Sequence, residues 1–450
     1  MLGFKLKLSY GIGALGKDLA CAIVYIYLMY FFTDVLNLSP AFVGSLFLVS
    51  RMWDAINDPA MGMIVDNTRS KWGKFRPWIM IGTILNAVVL VAMFTKPSGL
   101  EGKMLYAYIS VIYILWGMTY TIMDIPFWSM IPALSNDKKE REEVAVIPRI
   151  FASLAWLGLG SFGLPIIGLL GKGSQLKGFS YLSIGIAIIF VISSVLTVVN
   201  VKEKIVSNKS AEKINLKYAF KLILKNDQLV VLIGTVLMFN LMVQVSGGVA
   251  IYYFKYVIGH ESLFSVFTGF SGLAEISGLL MFPFFSNKIG RQKVFFIACL
   301  MPVLGFSLLF LSGIFAPTNA ILIAVSGIIA KIGTGFSLGI STVMLADVVD
   351  YGEYRFGSRN ESVIFSVQTL LVKTAAAVSG WLIGMGLSTV GYVANTVQTP
   401  NAIAGIRSLM IFVPIVLSIV GYIIYKKYYK LNNDYYDEVV KSLSEKRELV

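Results

Sequence analysis

Twelve apolar runs, each long enough to cross a bilayer as a helix, narrow what this chain can become: 8–33, 41–63, 77–95, 104–131, 149–170, 179–200, 228–257, 263–285, 294–315, 320–346, 362–387 and 404–425. In hydrocarbon every backbone N–H and C=O must find a partner within the protein, which leaves only helices and closed barrels. The runs lack the apolar/polar alternation of barrel strands, so the expected fold is all-α, with twelve transmembrane helices. Composition agrees, because 56% of the 450 residues are AVILMFWYC and 14% are charged, more apolar surface than soluble cores hide.

The formal charge of +13 raises the question of nucleic acid, but basic residues flanking hydrophobic spans have a simpler role in setting topology. Even-numbered connections and both termini hold 27 of the 38 Lys and Arg residues; odd connections hold four (Lys96, Lys103, Lys172 and Lys177), with Lys255 and Arg407 at the ends of runs beside them. Both termini are therefore expected in the cytoplasm, the chain being a multi-pass protein of the cell membrane whose partner is lipid and not nucleic acid. Lys17 and Asp18 interrupt the first run, and no short apolar stretch with a small-residue cleavage site follows, so this is not read as a cleaved signal peptide. Cys21 and Cys299, with His260 as the sole histidine, supply no zinc cage, haem motif or disulfide framework, and no cofactor is expected.

Four regions follow: six spans in 1–200, a polar segment at 201–227 with seven lysines, six spans in 228–425, and a charged tail at 426–450. The polar segment reads as a linker beside anionic lipid with an amphipathic piece, Leu216 to Leu224, and the tail as a mobile or helical appendage. After the second span stands Gly62-x3-Asp66-x2-Arg69-x-Lys71-Trp72-Gly73-Lys74-x-Arg76; after the eighth stands Asn287-Lys288-Ile289-Gly290-Arg291-Gln292-Lys293. Both resemble the Gly/Asp/Arg-rich loop in each half of major facilitator transporters. That likeness implies two six-helix bundles with pseudo-twofold symmetry and a central site worked by alternating access.

Ionisable residues inside apolar runs carry the chemistry, since each costs about 2.5–3.5 kcal/mol at a helix centre and needs a partner or a wet cavity. In the second run Asp54 and Asp58 lie one turn apart beside Asn57, with Arg51 near. Two ionised carboxylates at that spacing repel, so a cation or proton is expected there. Hard oxygen ligands suit Na⁺, Li⁺ or H⁺ better than transition metals. The competing reading, a salt bridge from Arg51, accounts for one carboxylate only. In the fourth run Tyr120, Asp124 and Trp128 make one stripe of phenol, carboxylate and indole, the mixture a sugar needs: aromatic faces for its C–H surface and a carboxylate for hydroxyls. Aromatic residues at helical spacing usually just pack, but Asp124 within the stripe has no reason to face lipid. Thr121 adjoins the stripe toward the cation pair, Lys17-Asp18 offers a donor and an acceptor with Tyr25 about two turns on, and the eleventh run presents Gln368, Thr369 and Lys373. Lys373 reads as a counter-ion to the acidic helices. Lys331 and Glu275 have no companion on their own spans. Arg141, Arg291, Asp347, Asp350, Glu353, Arg355, Arg359 and Glu361 are expected on loops of both halves as a breakable cytoplasmic latch, or as ordinary solvated charge.

The runs Leu8-Ser9-Tyr10-Gly11, Gly16-Lys17-Asp18, Trp53 to Pro59, Trp72-Gly73-Lys74-Phe75, Trp116 to Ser129 and Asp350-Tyr351-Gly352-Glu353 resemble the glycoside–pentoside–hexuronide:cation symporters, and among them the melibiose permeases. The resemblance implies uptake of a galactoside coupled to Na⁺, Li⁺ or H⁺. It implies sugar contacts at Lys17, Asp18, Tyr25, Tyr120, Asp124, Trp128, Arg149, Gln368, Thr369 and Lys373, cation ligands at Asp54, Asn57, Asp58 and Thr121, and a gate at Arg141, Arg291, Asp347, Asp350 and Arg359. One departure is that the segment Gly335 to Gly339 lacks the tenth-span tryptophan of the melibiose permeases. Two alternatives are a lysolipid transporter on the same fold, which would want a broad apolar cavity, and an intramembrane prenyltransferase, whose paired Asp-rich Mg²⁺–diphosphate motifs are mimicked in part by Asn57-Asp58 with Asp54 and by Asp347-x2-Asp350-x2-Glu353.

Overall fold

A computed structural model describes residues 3–134, 138–203, 225–357, 361–431 and 433–448, with side chains except at 55–56, 132, 138–143, 145, 361–366, 368–369, 433–434 and 446–448. Arg359 lies outside these residues, and Arg141, Glu361, Gln368 and Thr369 outside the described side chains.

Twelve long helices follow in order: α1 (Phe4–Tyr30), α2 (Pro40–Asp66), α3 (Arg76–Met93), α4 (Gly102–Ser129), α5 (Lys138–Gly171), α6 (Gln175–Asn200), α7 (Asp227–Tyr252), α8 (Ser262–Ile289), α9 (Arg291–Phe315), α10 (Ala320–Phe356), α11 (Glu361–Thr389) and α12 (Pro400–Tyr428). A shorter α13 (Asn433–Glu448) ends the described chain. Eleven of the long helices are apolar enough throughout a membrane-length window; the other, α2, is long enough but carries Arg51, Asp54 and Asp58. Starts are set by local chemistry. Pro40 opens α2, Asn226 Oδ1 accepts from Leu229 N (3.0 Å) at the start of α7, and Asn319 Oδ1 accepts from Ile321 N and Leu322 N (both 3.1 Å) at the start of α10. Helix α3 is capped from a distance: the Glu203 carboxylate, just past α6, accepts from Lys74 N (2.7 Å), Phe75 N (2.8 Å) and Arg76 N (3.3 Å). An anion at the positive end of a helix is favourable, and Gly73 makes room for it. A Cβ there would stand 2.6 Å from Glu203 Oε1, and φ of 102° already excludes most side chains.

Two compact units divide the chain, 1–212 with 394–396, and 213–393 with 397–450. In the first, α1 packs on α5 and α6, α3 on α4 and α6, and α2 on α4. In the second, α7 packs on α11 and α12, α9 on α10 and α12, and α8 on α10, the same pairings displaced by six helices. The likeness reaches local detail, because α1 and α7 both end in a wide π turn, Phe31–Val35 and Tyr253–Ile258.

Two boundaries differ from the sequence expectation. Helix α5 begins at Lys138 rather than 149, and α10 continues to Phe356 rather than 346, so Arg141, Asp347, Asp350, Glu353 and Arg355 belong to helices and not to loops. Hydropathy marks where lipid stops; a helix crosses that boundary when its next turns find partners. Those of α10 do: Arg291 Nη1 meets Asp347 Oδ2 at 3.1 Å, Tyr429 O–H donates to the same oxygen at 3.3 Å, and Tyr436 O–H donates to Asp350 Oδ2 at 2.9 Å. Asp227 accepts from Tyr351 O–H (2.9 Å), pairs with Lys430 (3.3 Å) and binds Arg355. The tail is helical and docked, since Val439 and Leu443 are buried in the core of the second unit and Tyr435 meets Tyr351 edge-on. Burial, followed by the hydrogen bond to Asp350, raises the Tyr436 phenol above its ordinary pKa, and burial followed by the charge of Asp347 does the same to Tyr429. The Arg291–Asp347 pair therefore sits inside one unit, not between halves.

Candidate functional site

The polar residues of the first unit gather where α1, α2, α4 and α5 supply them. Lys17 is 4% exposed, which no lone ammonium tolerates, and its Nζ lies 2.8 Å from Asp124 Oδ1 and 3.2 Å from Asp18 Oδ2. It also reaches the Tyr120 hydroxyl at 3.3 Å and stands 5.1 Å from the centroid of the Trp128 ring and 5.6 Å from those of Tyr120 and Phe127. Two carboxylates and an aromatic cage thus fix one cation. Trp128 Nε1 donates to Asp124 Oδ1 at 3.2 Å, one turn along α4, so the expected stripe of Tyr120, Asp124 and Trp128 converges on the lysine of α1. Asp124 keeps 29% of its side chain exposed and offers an oxygen to a ligand.

The second cluster joins α2 to α4. Arg51 Nη1 pairs with Asp54 Oδ2 at 2.8 Å, and Thr121 Oγ1 donates to Asp58 Oδ1 at 3.0 Å. Gly117, one turn before Thr121, lets Asp54 approach, since a Cβ there would lie 3.2 Å from Asp54 Oδ1. The buried Asn57 Nδ2 finds no acceptor among the described residues. An amide so placed is as well oriented with its oxygen turned inward, which completes a set of hard oxygen donors with both carboxylates and the threonine. Along α4, then, Gly117 and Thr121 face the acidic pair while Asp124 and Trp128 face Lys17.

Tyr25 connects the clusters. The Arg51 guanidinium lies 5.3 Å from the centroid of its ring, and Trp156 of α5 meets the ring edge-on at 5.8 Å. Trp156 also donates its Nε1–H to Asp18 Oδ1 at 3.2 Å. Across both clusters two cationic side chains, Lys17 and Arg51, stand against four acidic ones, Asp18, Asp54, Asp58 and Asp124.

The structure thus gathers Lys17, Asp18, Tyr25, Tyr120, Asp124 and Trp128 at one place and Asp54, Asn57, Asp58 and Thr121 at another. Arg149 is exposed on α5, and among the described residues no ion pair ties it to the cluster. Lys373 is half-buried on α11 and has an interaction partner. Lys331 and Glu275 are partners across α10 and α8, at 2.8 Å, and Thr334 Oγ1 adds a hydrogen bond to Glu275 at 3.1 Å. Trp156 was not foreseeable from motifs, and no signal in the sequence singles it out.

The acids that imitate prenyltransferase motifs have other partners: Arg51 and Thr121 in the first unit, Arg291, Tyr429 and Tyr436 in the second. The isoprimeverose transporter of Lactiplantibacillus pentosus is 32% identical over 95% of this chain and 89% of its own. The inner membrane symporter YicJ of Escherichia coli is 29% identical over 99% of this chain and 96% of its own. In fold, the crystal structure of a D-xylose–proton symporter superposes with a TM-score of 0.67 at 15% identity, over 95% of this chain and 98% of the other. A family model described as MFS/sugar transport protein matches residues 9–433. The prenyltransferase alternative therefore falls, and the chain is a member of the MFS/sugar transport protein family, a twelve-helix membrane transporter and not an enzyme.

Proposed function

We propose that this transporter is a sugar/cation symporter of the cell membrane, both termini in the cytoplasm, that takes up a galactoside of the melibiose kind together with Na⁺, Li⁺ or H⁺. One observation carries the reading. A single face of α4 holds the hydroxyl that binds Asp58 and the carboxylate that binds Lys17, so a cation between Asp54 and Asp58 and a sugar on Asp124 share one rigid element. A relative named for isoprimeverose and another named a symporter support the class of solute and the mode of transport.

The cation enters first. Its charge joins Arg51 in compensating Asp54 and Asp58, and settles the α2–α4 contact through Gly117 and Thr121. With α4 fixed, the sugar packs a C–H face on Trp128 while its hydroxyls take up acceptors on Asp124 and Asp18 and the donor Lys17. The loaded protein then changes which side its site faces. No covalent bond is made or broken. Gln368, Thr369 and Lys373 of α11 complete the reading on the strength of the resemblance, and Arg141, Arg291, Asp347, Asp350 and Arg359 belong on the same strength to cytoplasmic closure.

Counterflow in proteoliposomes across a panel of galactosides, in Na⁺, in Li⁺ or with protons alone, tests this directly. Exchange of at least one galactoside, stimulated by at least one of the cations, is expected. Exchange of none of them, or exchange indifferent to all three cations, refutes the proposal.

A further inference from the structure

Two carboxylates in the first unit are held in matching ways. Asp124 is bound by Lys17 at 2.8 Å and accepts an indole N–H from Trp128 at 3.2 Å; Asp18 is bound by the same Lys17 at 3.2 Å and accepts an indole N–H from Trp156 at 3.2 Å. One lysine therefore stands between two Asp–Trp pairs. The first pair is the sugar contact proposed above. The second joins Asp18 to an indole that belongs to no motif in the sequence and comes from α5.

Trp156 is not placed as a core residue. It remains 37% exposed, its one ring contact among the described residues is edge-on to Tyr25, and its only polar atom is spent on Asp18. That leaves the ring faces for something else. Asp18, in turn, is nearly buried, and beyond the ion pair its Oδ2 accepts no hydrogen bond among the described residues. A carboxylate oxygen has two lone pairs, and the ammonium takes up at most one of them, so a ligand hydroxyl can complete it. An indole face beside an acceptor with spare capacity is the same chemistry that makes Trp128 and Asp124 suit a pyranose.

We infer that Trp156 and Asp18 form a second pyranose subsite, so that a two-ring glycoside lies with one ring on Trp128 and Asp124, the other on Trp156 and Asp18, and the hydroxyls near its glycosidic link on Lys17. The inference rests on the sugar reading proposed above. It also answers how a chain without the tenth-helix tryptophan grips a second sugar unit: the aromatic surface comes from the first unit. Trp156 is then a specificity residue, because a one-ring sugar gains nothing from it.

Calorimetric titration of the purified protein in proteoliposomes tests this, with Na⁺ present, using melibiose, lactose and isoprimeverose as two-ring probes and methyl galactoside and methyl xyloside as one-ring probes. Wild type is expected to bind its best disaccharide about tenfold more tightly than either methyl glycoside, ~1.4 kcal/mol. Trp156→Ala should weaken the disaccharide about tenfold and the methyl glycoside by no more than about twofold, Trp156→Phe should recover most of the loss, and Trp128→Ala should weaken both classes. Equal loss for both classes in Trp156→Ala, or no loss for either, overturns the assignment of Trp156. A wild type that binds disaccharide no better than methyl glycoside overturns it without any variant. A wild type that binds none of the five sugars overturns the sugar reading itself, and this one with it.

Discussion

Lys17 shows how much a single buried ammonium can organise. It is shared by Asp18 and Asp124 and ringed by Tyr120, Phe127 and Trp128, so removing one acid leaves a buried charge half-compensated. Breaking such a pair costs about 3–5 kcal/mol, and the sugar loses an acceptor as well. Asp124→Asn should therefore weaken sugar binding by about 100-fold or more, with or without cation, whereas Asp58→Asn should abolish cation stimulation and leave cation-free sugar binding within about threefold of wild type. Equilibrium binding of a labelled galactoside to both variants reads this. If the two lose sugar binding alike, the sites are not separable. Glu275–Lys331 contrasts with this cluster. Being partly exposed and tied, among the described residues, to Thr334, it is expected to be structural: Glu275→Gln should lower stability by about 1–2 kcal/mol, Glu275→Gln with Lys331→Met should restore most of it, and neither should alter sugar affinity, all measurable by thermal denaturation and binding in parallel. The sequence made these residues legible because charge inside an apolar run is expensive and demands a reason. It also placed Tyr120 and Trp128, through their spacing about Asp124. It could not pair Lys331 with Glu275, which lie on different helices, nor find Trp156, because a tryptophan in an apolar run costs nothing there and announces nothing.

At the scale of helices, close approach does what side chains alone cannot. Gly117 on α4 sits against Asp54 of α2, and a methyl group there would lie 3.2 Å from the carboxylate. Gly117→Ala should therefore lower cation affinity by about tenfold while sparing cation-free sugar binding, seen by titrating Na⁺ and Li⁺ against the variant. The docked tail offers another test. Tyr436 and Tyr429 donate to Asp350 and Asp347 only while protonated, and their folded pKa values are raised above the unfolded value of about 10. Their contribution is thus complete below about pH 10 and is lost as pH rises through the folded values. Amide exchange across α13 should keep constant protection between neutral pH and about pH 9, after correction for intrinsic rates, and Tyr436→Phe should exchange faster over that whole range. The order and number of long helices were readable from hydropathy. The start of α5 and the end of α10 were not, because hydropathy follows lipid contact, while the last turns of α10 are held by partners such as Arg291 and the tail tyrosines, distant in sequence. For the same reason the tail reads as an appendage until Val439 and Leu443 are seen in the core.

Over the whole molecule, six helices pair in one pattern and the next six repeat it, down to the π turns that end α1 and α7. The repeat was faintly visible in the sequence as two basic loops at matching places, which gave the architecture but not the distribution of work. The polar groups of the first unit alone bring the Arg51–Asp54 and Asp58–Thr121 contacts and the Lys17–Asp124 contact together along α4. Coupling across so short a distance is an equilibrium property and must be reciprocal. The most direct test is one thermodynamic square on the purified protein: sugar affinity measured with and without Na⁺, and Na⁺ affinity measured with and without saturating sugar. The account predicts that each ligand tightens the other by the same factor, about 5–150-fold, with Li⁺ or H⁺ taking the place of Na⁺ if Na⁺ is not the coupling ion. Sugar affinity that is the same in the presence and absence of all three cations would contradict it.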